Sequence, residues 1–325
     1  MSMKLFFSIL FLCFTFTSIQ SQNFEEVDRI VSQYPKSAAS PDQLADQIAK
    51  DFTTDIEKIR ALYTWLALNI SYDLETLYSG ETAVNFSYTD QQDLQRKLRA
   101  INRNMVNNTL RTKKAICEGY AQTFKYISEL LGIPCMLVGG YSKGTVDDIG
   151  KIPPRENHAW NAVKLNKKWF LIDVTWGAGY ANGKSWTQRF NDFYFLTDPD
   201  DLILSHYPTD DMWTLTRSSI TLNEFFEKPI FDKAFFINEL KLYAPLQGEL
   251  TLKPNSNIDF TLGEIPNDVS IYYAFKGNTN VEKIIPECAD SKCKFSIPFV
   301  QNEDTALLLF ANQQTALQYK IRLEN

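Results

Sequence analysis

Residues 113–124 read Lys-Lys-Ala-Ile-Cys-Glu-Gly-Tyr-Ala-Gln-Thr-Phe, and they place a cysteine where a polar linker turns into an amphipathic helix. Apolar residues then recur at steps of three and four and predict one buried helical stripe: Tyr120, Phe124, Ile127 and Leu131. Gly132 and the Ile-Pro pair that follows it end the helix. Cys117 therefore falls in the first turn, where unpaired N–H groups and the positive end of the helix dipole favour a thiolate over a thiol.

A lone cysteine is usually a small buried apolar residue, so the rest of the chain decides how Cys117 is interpreted. One of the two histidines lies in a predicted β-hairpin. Residues 157–165 and 169–176 are rich in aromatic and β-branched residues, which is typical of strands, and a polar turn separates them.

The length of that turn decides which side chains share a face of the hairpin. With a two-residue turn at 166–167, His158 faces Thr175 and Asp173 lies diagonal to His158 on the same face. A three-residue loop would put His158 and Asp173 on opposite faces. In the first register Asp173 can hold one ring nitrogen while the other points at a thiol, which is a Cys–His–Asp arrangement for nucleophilic catalysis.

Three motifs resemble the transglutaminase-like superfamily, namely Cys-Glu-Gly-Tyr-Ala at 117–121, Asn-His-Ala-Trp-Asn at 157–161 and Asp-Val-Thr-Trp-Gly at 173–177. The resemblance covers roughly residues 51–215 and is greatest to the bacterial and kyphoscoliosis-peptidase-like branch. It implies an α+β fold with a papain-like core of helices packed on an antiparallel sheet. It also implies three catalytic roles: nucleophile Cys117, base His158 and orienting carboxylate Asp173. The superfamily holds transglutaminases, peptidases, amidases and inactive members, so the reaction stays open.

The alternation of apolar and polar residues predicts a second domain after the catalytic one. From about Phe235 onward the sequence predicts five or six short strands and no helix, which favours an immunoglobulin-like β-sandwich. The predicted organisation is a signal peptide at 1–21, a transglutaminase-like catalytic domain at 22–217 and an all-β domain at 218–325. Within the catalytic domain we expect helices at 54–69 and 93–105 and further strands at 135–141 and 192–196.

The first 21 residues have the pattern of a secretory signal peptide, with a short basic start, an apolar run and small polar residues before the cleavage point. This run is too short to span a membrane, and no other stretch is long and apolar enough. Its removal takes one lysine and no acid, which leaves 32 basic and 39 acidic residues and a net charge of −7. We therefore expect a secreted, periplasmic or cell-envelope protein, and the mildly acidic composition makes nucleic acid an unfavourable partner.

Four cysteines remain after the signal peptide. Cys288 and Cys293 are spaced for a small hairpin disulfide in an oxidising compartment. Cys135 starts an apolar run and is expected in a buried strand, which leaves Cys117 as the free thiol. Cys117 could instead pair with Cys135, and that pairing would inactivate the site.

The sequence predicts no metal or other cofactor. Two histidines and one free thiol are few ligands, Cys-x-x-Cys spacing is absent, and the acidic loops lack the glycine and glutamate of a calcium loop. His206 lies in a turn beyond the predicted core strands, so we expect a structural role. An oxyanion needs a donor besides the Cys117 N–H, and the residue pattern does not identify it. Trp65 and Tyr72 are candidates only because they lie in a stretch that resembles the superfamily.

These features support two hypotheses from different classes. The first is a secreted cysteine enzyme that acts on amide bonds of a peptide or protein through an acyl-thioester. Hydrolysis is the simpler outcome, because transfer to an amine requires a water-excluding site. The second is a non-catalytic binding or scaffold protein of the cell envelope, whose β-domain docks an envelope protein or a glycan. Thiol reactivity separates the two; the oligomeric state stays open.

Overall fold

The structure is a computed structural model, and it describes residues 24–79, 86–217, 219–278 and 280–324. The predicted signal peptide lies outside the described residues. In the described part of the chain, no helix combines the length and the apolar character that a bilayer crossing requires.

The N-terminal part is built from helices packed on one antiparallel sheet. Its helices are α1 (Glu25–Val31), α2 (Pro41–Asp51), α3 (Asp55–Asn69), α4 (Leu74–Ser79), α5 (Gln91–Thr112), α6 (Cys117–Leu130), α7 (Val174–Ala178) and α8 (Pro199–Leu202). Its strands are β1 (Ser71–Tyr72), β2 (Lys114–Ala115), β3 (Cys135–Ser142), β4 (His158–Leu165), β5 (Lys168–Ile172), β6 (Gly179–Asn182), β7 (Ser185–Gln188), β8 (Phe195–Thr197) and β9 (His206–Pro208). The main sheet has the order β8-β5-β4-β3-β9 with every pair antiparallel. This confirms the predicted α+β core.

The central helix α6 follows the sequence pattern closely. Tyr120, Phe124 and Ile127 are all fully buried in one core with α3 and the main sheet, and Cys135 is buried at the start of β3 as expected. The predicted helix at 54–69 is α3, which begins with a capping box between Thr54 and Glu57. The helix expected at 93–105 is longer: α5 runs from Gln91 to Thr112, because its buried face continues past residue 105 through Val106, Thr109 and Leu110.

The hairpin of β4 and β5 has the two-residue turn. Asn166 and Lys167 have φ angles of 48° and 67°, both in the left-handed region that such turns use, and Leu165 faces Lys168 across the ladder. The expected strand to residue 176 was wrong, because pairing stops at Ile172. Asp173 instead caps α7 by accepting a hydrogen bond from the Trp176 N–H, so the predicted pair of His158 and Thr175 does not form.

A second strand prediction was only partly right. Of the expected strand at 192–196, residues 192–194 form a 3₁₀ turn and β8 begins at Phe195. Further 3₁₀ turns lie at Val146–Asp148 and Asp211–Trp213.

The C-terminal part consists mostly of strands. Its two short helices are α9 (Leu222–Glu227) and α10 (Lys233–Ile237). Its strands are β10 (Ile230–Phe231), β11 (Leu242–Ala244), β12 (Glu249–Leu252), β13 (Ser256–Gly263), β14 (Ile271–Phe275), β15 (Glu282–Lys283), β16 (Glu287–Ala289), β17 (Lys292–Phe299), β18 (Thr305–Ala311) and β19 (Gln314–Leu323). One sheet has the order β10-β19-β18-β14-β15 with β12 also beside β19, and the other has the order β11-β13-β17-β16.

The two C-terminal sheets share one apolar core. The ring of Phe260 on β13 lies 5.3 Å from that of Tyr319 on β19, centroid to centroid, so side chains of both sheets meet. The expectation of no helix from Phe235 onward was wrong for α10, whose Phe235 is buried in this core. The immunoglobulin-like type and the boundary between residues 217 and 218 stay predictions.

Two of the four described cysteines are joined. Cys288 and Cys293 form the predicted disulfide between β16 and β17. Cys117 and Cys135 are both free thiols, so the alternative pairing between them is not formed.

Gly140 provides a test of how tightly the main sheet is packed around the histidines. It lies on β3 between His158 of β4 and Pro208 of β9, and an added Cβ would come within 2.3 Å of the Tyr207 carbonyl oxygen and 2.8 Å of the Trp160 ring. Because the nearest atom belongs to the backbone, the clash cannot be relieved by a rotamer change. We expect Gly140→Ala to lower the free energy of unfolding by about 3 kcal/mol, the upper range for overpacking a core.

The measurement is urea unfolding of Gly140→Ala beside Gly144→Ala. A methyl group at Gly144 would meet only the edge of the Trp176 ring at 3.3 Å, so this control should change the unfolding midpoint much less. Equal midpoints for Gly140→Ala and the unmodified chain would contradict the packing described here.

Candidate active site

Cys117 is held at the start of α6 by a short parallel ladder. Strand β2 pairs with β1 so that Ala115 lies opposite Tyr72, and the chain turns into the helix two residues later. Gly119 allows this close approach, because a Cβ there would meet the Ala115 methyl at 2.9 Å. The N-cap residue Ile116 makes no side-chain hydrogen bond to α6. The N–H groups of the first turn therefore remain available beside Cys117.

His158 and Asp173 are brought together as the two-residue turn predicts. The Nε2 of His158 lies 2.6 Å from Oδ2 of Asp173, and both side chains are buried. The other carboxylate oxygen, Oδ1, accepts a hydrogen bond from the Trp176 N–H at 3.0 Å. Since Nε2 is engaged by Asp173, the Nδ1 of His158 is the ring atom left for its hydrogen bond with the Cys117 thiol.

The charges of these three groups support one another. Burial raises the pKa of Cys117, but the hydrogen bond and positive charge of His158 outweigh it, and the pKa ends below that of an ordinary thiol. Burial lowers the pKa of His158, but Asp173 outweighs it and the pKa ends above the ordinary value. Burial would raise the pKa of Asp173, yet the two histidines beside it hold it well below its usual range. The arrangement therefore favours a thiolate–imidazolium pair over a neutral thiol and imidazole.

His206 belongs to the same cluster, which the sequence analysis missed. Its Nε2 lies 2.9 Å from the same Oδ2 of Asp173, and its Nδ1 lies 2.8 Å from Oγ of Ser205. The expectation that it lies beyond the core strands was wrong, since β9 is the edge strand of the main sheet and His206 pairs with Ser142. The sequence marks His206 only as one of two histidines, followed by Tyr-Pro, and this does not place it beside Asp173.

One nitrogen of each of these two histidines and a carboxylate oxygen of Asp173 lie within 4.8 Å of one another, which raises the question of a metal ion. Two ligands bound at about 2.0–2.1 Å to a tetrahedral ion lie roughly 3.3 Å apart. The N–O separations of 2.6 and 2.9 Å are instead those of direct hydrogen bonds. In this arrangement the Nε2 atom of each histidine is hydrogen-bonded to Oδ2 of Asp173.

The two candidate oxyanion donors differ sharply. Trp65 is buried and donates its indole N–H to the Pro35 carbonyl at 3.0 Å, so it is not directed at the cysteine and that suggestion was wrong. The phenol of Tyr72 lies beside Cys117, close enough for both the backbone N–H and the thiol of Cys117 to influence its pKa. Burial raises the pKa of Tyr72, and the nearby Cys117 charge raises it further, so the phenol keeps its proton. Stacking on Trp186 at 5.6 Å fixes its ring.

The three tryptophans of the hairpin region have different surroundings. Trp160 stacks on the His158 ring at 5.9 Å, and Trp176 lies 4.6 Å from the His206 ring. Trp169 packs against Trp213 at 5.1 Å. The first two therefore enclose the histidines with apolar surface, which keeps water from the shared carboxylate.

The chain was compared with protein-family models, curated proteins and solved structures. The model of the transglutaminase-like superfamily matches residues 42–174. The chain is 32% identical over 248 residues to human kyphoscoliosis peptidase, covering 75% of this chain and 34% of that protein. It is 30% identical over 232 residues to Hillarin of Drosophila melanogaster, covering 66% of this chain and 25% of that protein. The chain thus spans about a third of the length of these curated relatives, or less.

A solved structure, the periplasmic domain of TgpA from Pseudomonas aeruginosa, is 17% identical. The match covers 46% of this chain and 47% of that one, with a TM-score of 0.28.

Proposed function

We propose, since this chain carries a domain of the transglutaminase-like superfamily, that it is a cysteine enzyme acting on amide bonds of peptides or proteins. The observation that carries the proposal is the hydrogen-bonded series from the Cys117 thiol through His158 to Asp173, with a Cys117 pKa below that of a free thiol. A buried structural cysteine needs neither partner. Cys135 shows the contrast, because burial raises its pKa to about 12.

In the proposed reaction the Cys117 thiolate attacks the carbonyl carbon of the scissile amide and forms a tetrahedral intermediate. The negative charge that develops on the oxygen is met by the Cys117 backbone N–H and the Tyr72 phenol. His158 then gives its proton to the leaving amine, the C–N bond breaks and an acyl-thioester remains on Cys117. A water molecule, deprotonated by His158, attacks the thioester, and the carboxylic acid leaves as the thiolate and imidazolium are restored.

Hydrolysis is proposed over transfer to an amine. The name of the human relative, kyphoscoliosis peptidase, supports a peptidase. Transfer would need an acceptor amine to compete with water for the thioester. Cys117 is partly exposed, so water can reach the thioester. A fluorescent primary alkylamine offered together with casein measures transfer directly, beside the release of peptides.

A secreted, periplasmic or cell-envelope location is also proposed. The pattern of residues 1–21 and the disulfide between Cys288 and Cys293 support it, because disulfides persist in oxidising compartments. A glycan or an envelope protein as partner of the β-rich part belongs to the same proposal.

The test of the proposed function is the pH dependence of Cys117 alkylation by iodoacetamide. Because the pKa of Cys117 is lowered, the thiolate and its labelling rate should persist well below pH 8 and fall only as the pH drops through that lowered pKa. In His158→Ala the compensating charge is gone and burial dominates. The labelling profile should then shift to higher pH, because burial raises the pKa of the thiol and the His158 contribution that lowers it is gone.

Three features make the readout specific. Cys135 is buried with a raised pKa, Cys288 and Cys293 are joined, and Cys117→Ser gives the background. His158→Gln, which retains a polar side chain, serves as the second variant if His158→Ala does not fold. An unmodified chain whose labelling rises only near pH 8.5, as for a free thiol, would favour the non-catalytic scaffold role instead.

A further inference from the structure

One carboxylate oxygen of the site serves two imidazole rings. Oδ2 of Asp173 lies 2.6 Å from Nε2 of His158 and 2.9 Å from Nε2 of His206. A hydrogen-bonded series therefore runs from Ser205 through His206, Asp173 and His158 to Cys117. The proposed reaction uses only its last three members, and the two buried residues at its start have no role in the steps above.

The protonation of His206 follows from its neighbours. Its Nε2 faces a carboxylate oxygen, so this nitrogen has to carry a proton. The Nδ1 of His206 lies 2.8 Å from Oγ of Ser205, and the Ser205 hydroxyl can donate to it. The other acceptor within reach of the Ser205 hydroxyl, the Leu202 carbonyl, is farther away at 3.3 Å. Burial lowers the pKa of His206, and the positive His158 lowers it further against the pull of Asp173. His206 is thus the neutral Nε2–H tautomer, and Ser205 holds it there.

A neutral ring suits this place, because a single carboxylate cannot support two imidazolium ions. His206 donates an N–H without taking the charge of Asp173, which remains available to His158. The carboxylate is then fixed by three donors, since Oδ1 accepts from the Trp176 N–H. Rotation of the carboxylate would break at least one of these hydrogen bonds in a buried site where water cannot replace it.

The fold holds His206 firmly enough for such a role. Strand β9 pairs it with Ser142 of β3, and its ring lies 4.6 Å from Trp176 and 5.2 Å from Trp160. Tyr63 and Tyr194 also lie near the charge of Asp173. Burial raises the pKa of both phenols well above the ordinary value of a tyrosine, so both stay neutral at the pH of the assay. Among the described groups around Asp173, the ones that change charge with the reaction are therefore Cys117 and His158.

We infer that His206 is a positioning residue of the proposed reaction: held by Ser205, it donates to Asp173 and fixes the carboxylate that orients His158. The inference rests on the proposed function, because it assigns no reaction of its own to His206. It acts through Asp173 and does not touch the thiol or the substrate.

The test is the pH profile of Cys117 alkylation in three variants. His206→Leu removes the donor, and its labelling rate at pH 6 should fall by about tenfold or more, by analogy with the loss of activity when the hydrogen-bond partner of a metal-bound histidine is removed. His206→Gln keeps an N–H at nearly the Nε2 position and should restore the rate to within about threefold of the unmodified chain. Ser205→Ala removes the hydroxyl that fixes the Nε2–H tautomer of His206. Its labelling rate should lie between those of His206→Leu and His206→Gln.

The matched control is Ser128→Ala. Ser128 is a fully buried serine whose hydroxyl bonds the Phe124 carbonyl within α6, away from the carboxylate. Its removal should lower stability as Ser205→Ala does, without shifting the labelling profile. A purely structural His206 predicts the same pattern for both serine variants, so the shift in the profile separates the two roles.

The outcomes of the two proposals are distinguishable. An activated thiol in the unmodified chain, together with an unchanged profile in folded His206→Leu or Ser205→Ala, overturns this inference and leaves the proposed function standing. An unactivated thiol in the unmodified chain overturns the proposed function and the inference with it. If His206→Leu does not fold, Ser205→Ala and His206→Gln still decide.

Discussion

Replacing Asp173 by asparagine is expected to lower kcat for casein hydrolysis by about 10⁴-fold, the loss found when the orienting carboxylate of a serine-protease triad becomes an amide. The side chain of Asp173 accepts three N–H donors, two at Oδ2 and one at Oδ1. Asparagine has one oxygen, so its NH₂ group must face either the Trp176 N–H or the two histidines. The first orientation sets donor against donor in a buried site. The second requires His158 to accept at Nε2 and carry its proton at Nδ1, which is the wrong tautomer for a base facing the thiol.

The charge of His158 is lost for the same reason. Burial lowers the pKa of this imidazole, whereas Asp173 and, after it, Cys117 raise it, so Asp173→Asn removes the larger opposing contribution and favours the neutral ring. A neutral ring no longer supports the Cys117 thiolate, and alkylation at pH 6 should fall together with hydrolysis. The linked loss in both assays is what a triad predicts.

Fluorescently labelled casein provides the rate, with Cys117→Ser as the background. The matched control is Asp192→Asn, which removes a carboxylate that bonds Lys233 at 3.0 Å near the surface. That variant should hydrolyse casein within twofold of the unmodified chain. A value for Asp173→Asn within tenfold of the unmodified chain would remove Asp173 from the mechanism.

The parts of the site that sequence could predict depend on local signals. The position of Cys117 follows from a helix start and a stripe of apolar residues, which are set by neighbours within two turns. The approach of Asp173 to His158 follows from a two-residue turn, whose register is fixed by its length. Both features could be predicted because the residues that determine each of them lie within about fifteen positions of one another in the chain.

Asp173 itself shows how two local signals can compete. Its aromatic and β-branched neighbours favour a strand through Trp176, whereas an aspartate three residues before that tryptophan is also a helix N-cap. The cap prevails because its carboxylate then serves the Trp176 N–H and His158 together. The predicted contact was right, although the predicted conformation after Ile172 was wrong.

His206 could not be placed from sequence, because its position depends on tertiary structure. It lies 33 residues from Asp173 along the chain, on a three-residue edge strand too short to have a periodicity of its own. Only the pairing of β9 with β3 brings it to the carboxylate. The same holds for the choice between Trp65 and Tyr72, since the rotation of α3 that buries Trp65 is set by packing.

Tyr72→Phe is expected to lower kcat for casein hydrolysis by about 10²- to 10³-fold, which corresponds to about 3–4 kcal/mol of transition-state stabilisation for one oxyanion donor. The ladder of β1 and β2 fixes the backbone of Tyr72, and stacking on Trp186 fixes its ring, so phenylalanine should keep the same place without the hydroxyl. The change therefore removes one hydrogen-bond donor and little else.

Two assays distinguish this role from support of the thiolate. Alkylation by iodoacetamide displaces iodide at carbon and develops no carbonyl oxyanion, so a lost oxyanion donor should slow hydrolysis far more than labelling. Tyr78→Phe is the matched control, because its phenol is mostly exposed and donates to the Gly183 carbonyl at 3.1 Å, so its removal should leave both rates unchanged. Equal losses in hydrolysis and labelling would mean that Tyr72 acts on the thiol. Hydrolysis at the unmodified rate would mean that the second donor is another group, because the Cys117 N–H alone cannot supply two hydrogen bonds to the oxyanion.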